Sequence, residues 1–190
     1  MNKVIHTAST NKIETVSTLS CNHIHFPFLV RKMSVPVPIS DGEELAIITS
    51  PTFQEQAVNV GALEGCLTKN VFLRDKKYGL FLVTIKSTRD VNMKTMGNLL
   101  GLSGSNLRFG DDELLLEKLK IPRGSVSPFA LLNDTAKDVT YCIDNELLEQ
   151  PFINIHPLRC DQTTSITPKD LLAFLEHVGH QPTLLNFPTD

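Results

Sequence analysis

Two β-rich runs, "NVFLR" over residues 70–74 and "YGLFLVTIK" over residues 78–86, carry the clearest apolar pattern in the chain. The polar stretch between them predicts a hairpin that turns between Asp75 and Gly79. The second run is almost unbroken in apolar residues, which predicts a central strand. The period then changes to that of a helix. "VNMKTMGNLLG" places Val91, Met96, Leu99 and Leu100 on one face, with Gly101 as the stop. A short strand is expected in "NLRF", residues 106–109. A helix follows in "DDELLLEKLK", residues 111–120, where an aspartate can cap, Leu114, Leu115 and Leu119 share a side, and Pro122 ends it.

Further on, "SPFALLN" and "DVTYCI" read as a second hairpin-like pair around "DTAKD". "DNELLEQ" is a short helix with Asp144 or Asn145 to cap it, and "FINIHP" is a strand ending in His156 and Pro157. "TPKDLLAFLEHVG" has the strongest local grammar: Thr167 at the cap, Pro168 at the first helical position, Asp170 three residues after the cap, then Leu171, Leu175 and Val178 at helical spacing and Gly179 as the stop. "PTLLNF" adds a last strand. The first 50 or so residues differ, being rich in Ser, Thr and Pro. There Pro27 breaks the apolar piece "IHFPFLV", "SVPVPIS" suits an edge or an extended linker, and residues 52–61 could form a short helix between Thr52 and Gly61. Strands and short helices interleave without regular βα alternation. A compact mixed α/β (α+β) domain is therefore expected.

Composition narrows the function. A chain of 190 residues with 41% hydrophobic residues can bury one substantial core. With 18 basic and 21 acidic side chains its formal charge is -3, so no global positive field gathers nucleic acid, and any such partner must meet a local patch. Cys21, Cys66, Cys142 and Cys160 are widely spaced without a CxxC pair, which favours a reducing compartment. No window reaches the ~18 apolar residues that span a bilayer, and the start lacks a signal-peptide run. The expected location is the cytoplasm, without membrane contact; the lysines, serines and threonines at the start leave an organelle transit segment open.

Candidate chemistry is sparse. No P-loop, GxSxG or HExxH is present, and "NHIH" (His23, His25) is too small a set for a metal, so none is expected. His177 and His180 flank a helix stop and read as solvated ends or caps. Three places stand out: Lys69 before a strand, the "GSVSP" loop of Gly124, Ser125, Val126, Ser127 and Pro128, and His156 at a strand end. Each has a structural reading as a solvated strand end, an ordinary loop or a capping histidine. Together they have a chemical sense. A lysine supplies a point charge for a phosphate, free loop amides can cradle a carbonyl oxygen, and a histidine can orient a hydroxyl or a water.

Over residues 65–187 the chain resembles the free-standing prolyl-tRNA editing proteins, aminoacyl-tRNA deacylases also found as the insertion domain of bacterial prolyl-tRNA synthetase. Five blocks in one order carry the resemblance: "TKNVFLRDKK", "SGSNLRFGDDELLLEKL", "GSVSPFALLND", "INIHPL" and "ITPKDLLAFLEHVGHQP". The resemblance implies a YbaK-like domain over residues 46–190, with a mixed, partly barrel-like sheet and flanking short helices, after a divergent or partly disordered segment at 1–45. It implies hydrolysis of the ester between a wrong amino acid and the 3'-terminal adenosine of proline tRNA. Lys69 would hold the terminal phosphate or adenosine. The 124–128 loop would polarise the ester carbonyl, and His156 would fix the ribose hydroxyl or the water.

Asn70, Phe129, Ala130, Leu131 and Thr163 would contribute to substrate binding. The attacking water would be activated mainly by the substrate's own hydroxyl and by positioning, without cofactor or metal. Cys66, Cys142 and Cys160 would stay reduced, with no nucleophilic role. The lysine-plus-"FLRD" block resembles the alanine-clearing members. Partners would be the aminoacylated end of proline tRNA and, further, prolyl-tRNA synthetase. The alternative is a catalytically inactive relative that binds tRNA or a synthetase as an interaction module. Two departures stand out: Ala130 replaces a usual glycine, and "RCDQTT" after "HPL" replaces an asparagine-centred segment, keeping only Thr163.

Overall fold

A computed structural model describes residues 48–49, 64–158 and 162–188. The expectations for residues 1–45, for the helix at 52–61 and for the Cys160–Asp161 departure lie outside the described residues. Among the described residues eight strands form one mixed sheet: β1 (Ile48–Thr49), β2 (Cys66–Asp75), β3 (Gly79–Lys86), β4 (Arg108–Phe109), β5 (Val139–Asp144), β6 (Ile153–Ile155), β7 (Gln162–Ile166) and β8 (Thr183–Leu185). Their order is β1-β7-β6-β2-β3-β5-β8, with β4 paired to β2 off this path. The β2/β3, β2/β4, β6/β7 and β1/β7 pairs are antiparallel, whereas β2/β6, β3/β5 and β5/β8 are parallel. The expected mixed α/β class is the one found, with β3 an interior strand between β2 and β5.

The β2/β3 hairpin closes over a three-residue loop, with Gly79 at φ 93° completing the turn. Asp75 pins it. One carboxylate oxygen accepts from the amides of Lys77 (2.7 Å) and Tyr78 (3.1 Å), and the other from Asn106 (2.6 Å). These donors, Lys77 first, hold the Asp75 carboxyl below its usual range. Helix α1 (Met93–Leu99) starts at Asn92, whose side chain accepts from the amides of Lys94 and Thr95. Helix α2 (Asp112–Leu114) starts at Asp111 and runs into a π-turn at Leu115–Leu119. Helix α3 (Pro168–His177) has the expected cap, Thr167, and Pro168 in its first turn.

The sheet separates two apolar layers. Phe72, Leu82, Tyr141 and Ile143 face Leu115, Leu119, Leu131, Leu171 and Leu175 on one side. Leu73, Val83, Ile85 and Cys142 face Met96 and Leu107 on the other. Alternate residues of β2 and β3 thus point into different layers. Among the described residues no helix is long and apolar enough to cross a membrane.

Two expectations are corrected. "SPFALLN" is not a strand but a 3-10 helix, Pro128–Asn133. Ser127 caps it, Pro128 fixes its first turn, and Asn133 Nδ2 donates to the Leu119 carbonyl (2.8 Å), so a short apolar run becomes helical through its ends. Its supposed partner, β5, pairs with β3 and β8 instead.

His180 is the second correction: it is buried, not solvated. Its Nε2 stands 3.5 Å from Asp134 Oδ2, while Lys137 Nζ donates to the Val178 carbonyl beside it. Burial, and then the Lys137 charge, pushes the His180 pKa below its ordinary value; the Asp134 charge opposes this. The folded state therefore holds a neutral imidazole. Below about pH 6.5 the unfolded chain takes up a proton that the folded chain resists. This contribution to stability is full above that pH and is lost as pH falls towards the lowered folded pKa. Urea midpoints between about pH 7 and about pH 5.5 should fall more for the parent than for His180→Gln. Equal pH slopes for the two proteins would contradict it.

Candidate active site at the open edge of β2

β2 is paired with β3 from Thr68 to Asp75, but only at its two ends on the other edge. Cys66 and Leu67 pair with β6, and Leu73 and Arg74 pair with β4. Between them, no described strand covers that edge. Cys66 donates its amide to the Phe152 carbonyl (2.9 Å), and the Phe72 carbonyl accepts from the Gly110 amide (2.9 Å), both across this outer edge. The alternation of a strand's main-chain groups turns the amide and carbonyl of Asn70 the same way, into the gap between β6 and β4.

Lys69 and Asn70 leave this stretch on opposite faces. The Asn70 side chain is fixed by a relay: the Tyr141 hydroxyl donates to Thr84 Oγ1 (3.0 Å), and the Thr84 hydroxyl donates to Asn70 Oδ1 (2.7 Å). Burial raises the Tyr141 phenol pKa and keeps it a donor. Asn70 Nδ2 is a buried atom with no hydrogen-bond partner. An amide with its acceptor engaged and its donors unspent is what a carbonyl-bearing ligand would complete.

Lys69 does not precede a strand, as expected, but is the fourth residue of β2, because the strand begins at Cys66; it is half-buried and lies across from Ile85 of β3. The parallel β2/β6 register, Cys66 to Ile153 and Leu67 to Asn154, carries it level with His156 two residues on. The Thr68 hydroxyl fastens the strands by donating to the Asn154 carbonyl (2.8 Å). His156, half-buried, follows β6 directly, and one further step of the β6/β7 register sets it opposite buried Thr163. Lys69, His156 and Thr163 thus belong to one face of three neighbouring strands. Leu158, just beyond, has φ 65°, a strained backbone for a leucine.

The "GSVSP" loop belongs to the Asn70 face. Gly124 takes φ 85°, and the Ser125 amide donates to the Pro122 carbonyl (3.2 Å). Ser127 Oγ accepts from the Phe129 amide (3.4 Å), and the Ala130 amide reaches the Ser127 carbonyl (3.0 Å). Those bonds use the amides of Ser125, Phe129 and Ala130; the amides of Val126 and Ser127 take no part in them. Val126 and Phe129 pack on the layer that holds Tyr141, Ile153 and Ile155. Ala130 and Leu131 are fully buried in that layer, and Phe129 meets Phe174 edge-on at 5.4 Å. The two sets of candidate residues meet at β2, where Lys69 and Asn70 are consecutive. The relay through Thr84 and Tyr141 went unnoticed in sequence, although a threonine inside "LFLVTIK" is a polar residue in a buried run.

The profile of the aminoacyl-tRNA editing domain matches residues 49–174. The "Prolyl-tRNA synthetase associated domain-containing protein 1" of Danio rerio is 41% identical over 138 residues, covering 72% of this chain and 74% of that protein. This chain belongs to the aminoacyl-tRNA editing domain family. The "Prolyl-tRNA editing protein ProX" of Acetoanaerobium sticklandii is 31% identical over 115 residues, covering 60% of this chain and 69% of ProX. A crystal structure described as a candidate trans-editing enzyme for prolyl tRNA synthetase superposes with a TM-score of 0.57 at 24% identity, over 76% of this chain and 87% of that one, a likeness of fold.

The ends of β3 and β5 in this editing domain are tied by ion pairs. Lys86 pairs with Glu146, and Arg89 pairs with Glu146 (2.5 Å) and with fully buried Asp144 (3.3 Å). Cys66, near this group, is a free thiol raised in pKa by burial, and burial pushes Cys142 up to about 12. Both stay protonated at neutral pH, which makes them poor nucleophiles.

Proposed function

We propose that this editing domain hydrolyses the ester of mischarged proline tRNA, with alanyl-charged proline tRNA as its substrate. The observation that carries the reading is the open stretch of β2, where Lys69 and Asn70 are consecutive, one on each face, and Asn70 keeps unspent amide donors against a relay from Thr84 and Tyr141. The relatives named for prolyl-tRNA editing and as prolyl-tRNA synthetase associated support a role in prolyl-tRNA editing.

In this reading Lys69 holds the phosphate of the terminal adenosine as a compact point charge. With the ester seated in the gap at the open edge, Asn70 Nδ2 and the amides of Val126 and Ser127 polarise its carbonyl from one face of the sheet, and His156 orients the ribose hydroxyl or the water from the other. Water adds to the carbonyl carbon, and the bond to the ribose oxygen breaks. A proton passes to that oxygen, leaving free amino acid and uncharged tRNA. No covalent intermediate is needed, because positioning and carbonyl polarisation supply the rate.

The test is ester loss from alanyl-, cysteinyl- and prolyl-charged proline tRNA with the purified full chain. Alanyl ester should be lost fastest and prolyl ester spared. Asn70→Ala should slow alanyl loss about tenfold, the scale of one lost charge-bearing hydrogen bond. Unchanged tRNA binding with no ester loss would favour the idle interaction module instead.

A further inference from the structure

We propose that Arg74 and Arg108 form a second phosphate contact, which grips the backbone of the tRNA whose charged end enters the open edge of β2. The inference rests on the reading of the chain as a tRNA-acting editing domain. Its geometry is independent of the chemistry there.

Arg74 on β2 and Arg108 on β4 are directly opposed in the antiparallel register. Like charges facing across such a pair are destabilising. The local carboxylates leave the opposition partly unrelieved. Arg74 Nη1 pairs with Asp111 at 2.9 Å, but Arg108 Nε donates to a neutral amide oxygen, Asn106 Oδ1, at 3.3 Å. The Asp75 carboxylate next in sequence is turned inward onto three main-chain amides, and Asp112 is engaged by Arg123 at 3.4 Å. Glu113, exposed at the start of α2, works against an anion here, while exposed Lys76 works for it. Two arginines directly opposed across a strand pair suit an anion with several oxygens, and a phosphodiester is that anion in RNA.

Position fixes the partner. Arg74 follows Asn70 by four residues on the same face of β2, so the pair borders the gap and lies about 13 Å from Asn70 at a strand's rise per residue. Both arginines are exposed, and Gly110 beside them has no room for a side chain: an added Cβ would meet the Phe72 ring at 2.3 Å. The arginines thus stand in solvent further along the strand that borders the gap. With a net charge of -3, the chain needs such a local contact to hold a polyanion at all.

The test uses the full chain with Arg108→Glu. A carboxylate there would pair with Arg74, so the thermal midpoint should stay or rise, whereas a purely structural Arg108 predicts a fall. Binding of uncharged proline tRNA, read by fluorescence anisotropy, should weaken about tenfold, with a salt slope shallower by about one. On alanyl-charged tRNA, KM should rise with kcat unchanged, and hydrolysis of an alanyl ester of adenosine alone should match the parent. Arg108→Lys should keep most of the affinity. If Arg108→Glu does not fold, Arg108→Gln gives the same binding readout. tRNA binding equal to the parent overturns the proposal, and so does loss of binding to prolyl-tRNA synthetase with tRNA binding intact. A parent that binds tRNA but never hydrolyses ester, and whose binding weakens in Arg108→Glu, removes the deacylase reading and keeps this one.

Discussion

Replacing Lys69 with alanine should lower kcat/KM on alanyl-charged proline tRNA about 100-fold and leave thermal unfolding unchanged, because a lost anchor shifts the ester relative to the attacking oxygen. Lys69 is half-buried at the head of the open stretch, paired with Ile85 of β3 and level with His156, just past the point where the β6 pairing stops. A merely solvated strand end would cost less than ~0.5 kcal/mol in stability and nothing in turnover. Lys69→Arg should rescue poorly, since a planar fork does not take the place of a compact ammonium. Turnover of Lys69→Ala within about twofold of the parent, at subsaturating substrate, would decide for the solvated end.

Gly65→Ala should be among the most destabilising single changes, at about 2–4 kcal/mol. Gly65 sits at φ 105°, and an added Cβ would come 2.4 Å from the Phe152 carbonyl oxygen and 2.7 Å from the Phe152 Cβ. That carbonyl accepts the Cys66 amide in the first rung between β2 and β6. Relief of the clash must move main chain, and β6 leads directly into His156, so hydrolysis should fall with stability. Gly79→Ala is the control. Its φ of 93° carries the same backbone penalty, but nothing lies within 4 Å of its Cβ, so it should cost only about 1 kcal/mol. Urea midpoints that place Gly65→Ala no lower than Gly79→Ala would contradict the steric account.

Elements with their own punctuation were legible in the sequence. Thr167, Pro168, Asp170 and Gly179 mark α3 within thirteen residues, and Asp75 with Gly79 marks the hairpin. "SPFALLN" was misread because a short apolar run has no decisive period, and the cap that settles it is one hydroxyl, Ser127. His180 was misread because its surroundings come from the 134–139 segment, far away in the chain. The residues of the candidate site were visible as types, but their grouping was not. Whether Asn70 has unspent donors depends on Thr84 and Tyr141, and whether β2 is open depends on where β6 and β4 stop. Long-range register carries that information, and local pattern does not.

The most direct measurement of the central claim is release of free alanine from alanyl-charged proline tRNA by the purified full chain at a substoichiometric concentration, beside a heat-denatured control and Lys69→Ala. Several equivalents of alanine per protein, well above the control and largely lost in Lys69→Ala, is the predicted result. Release no faster than the control, from a folded protein that still binds the tRNA, would contradict it.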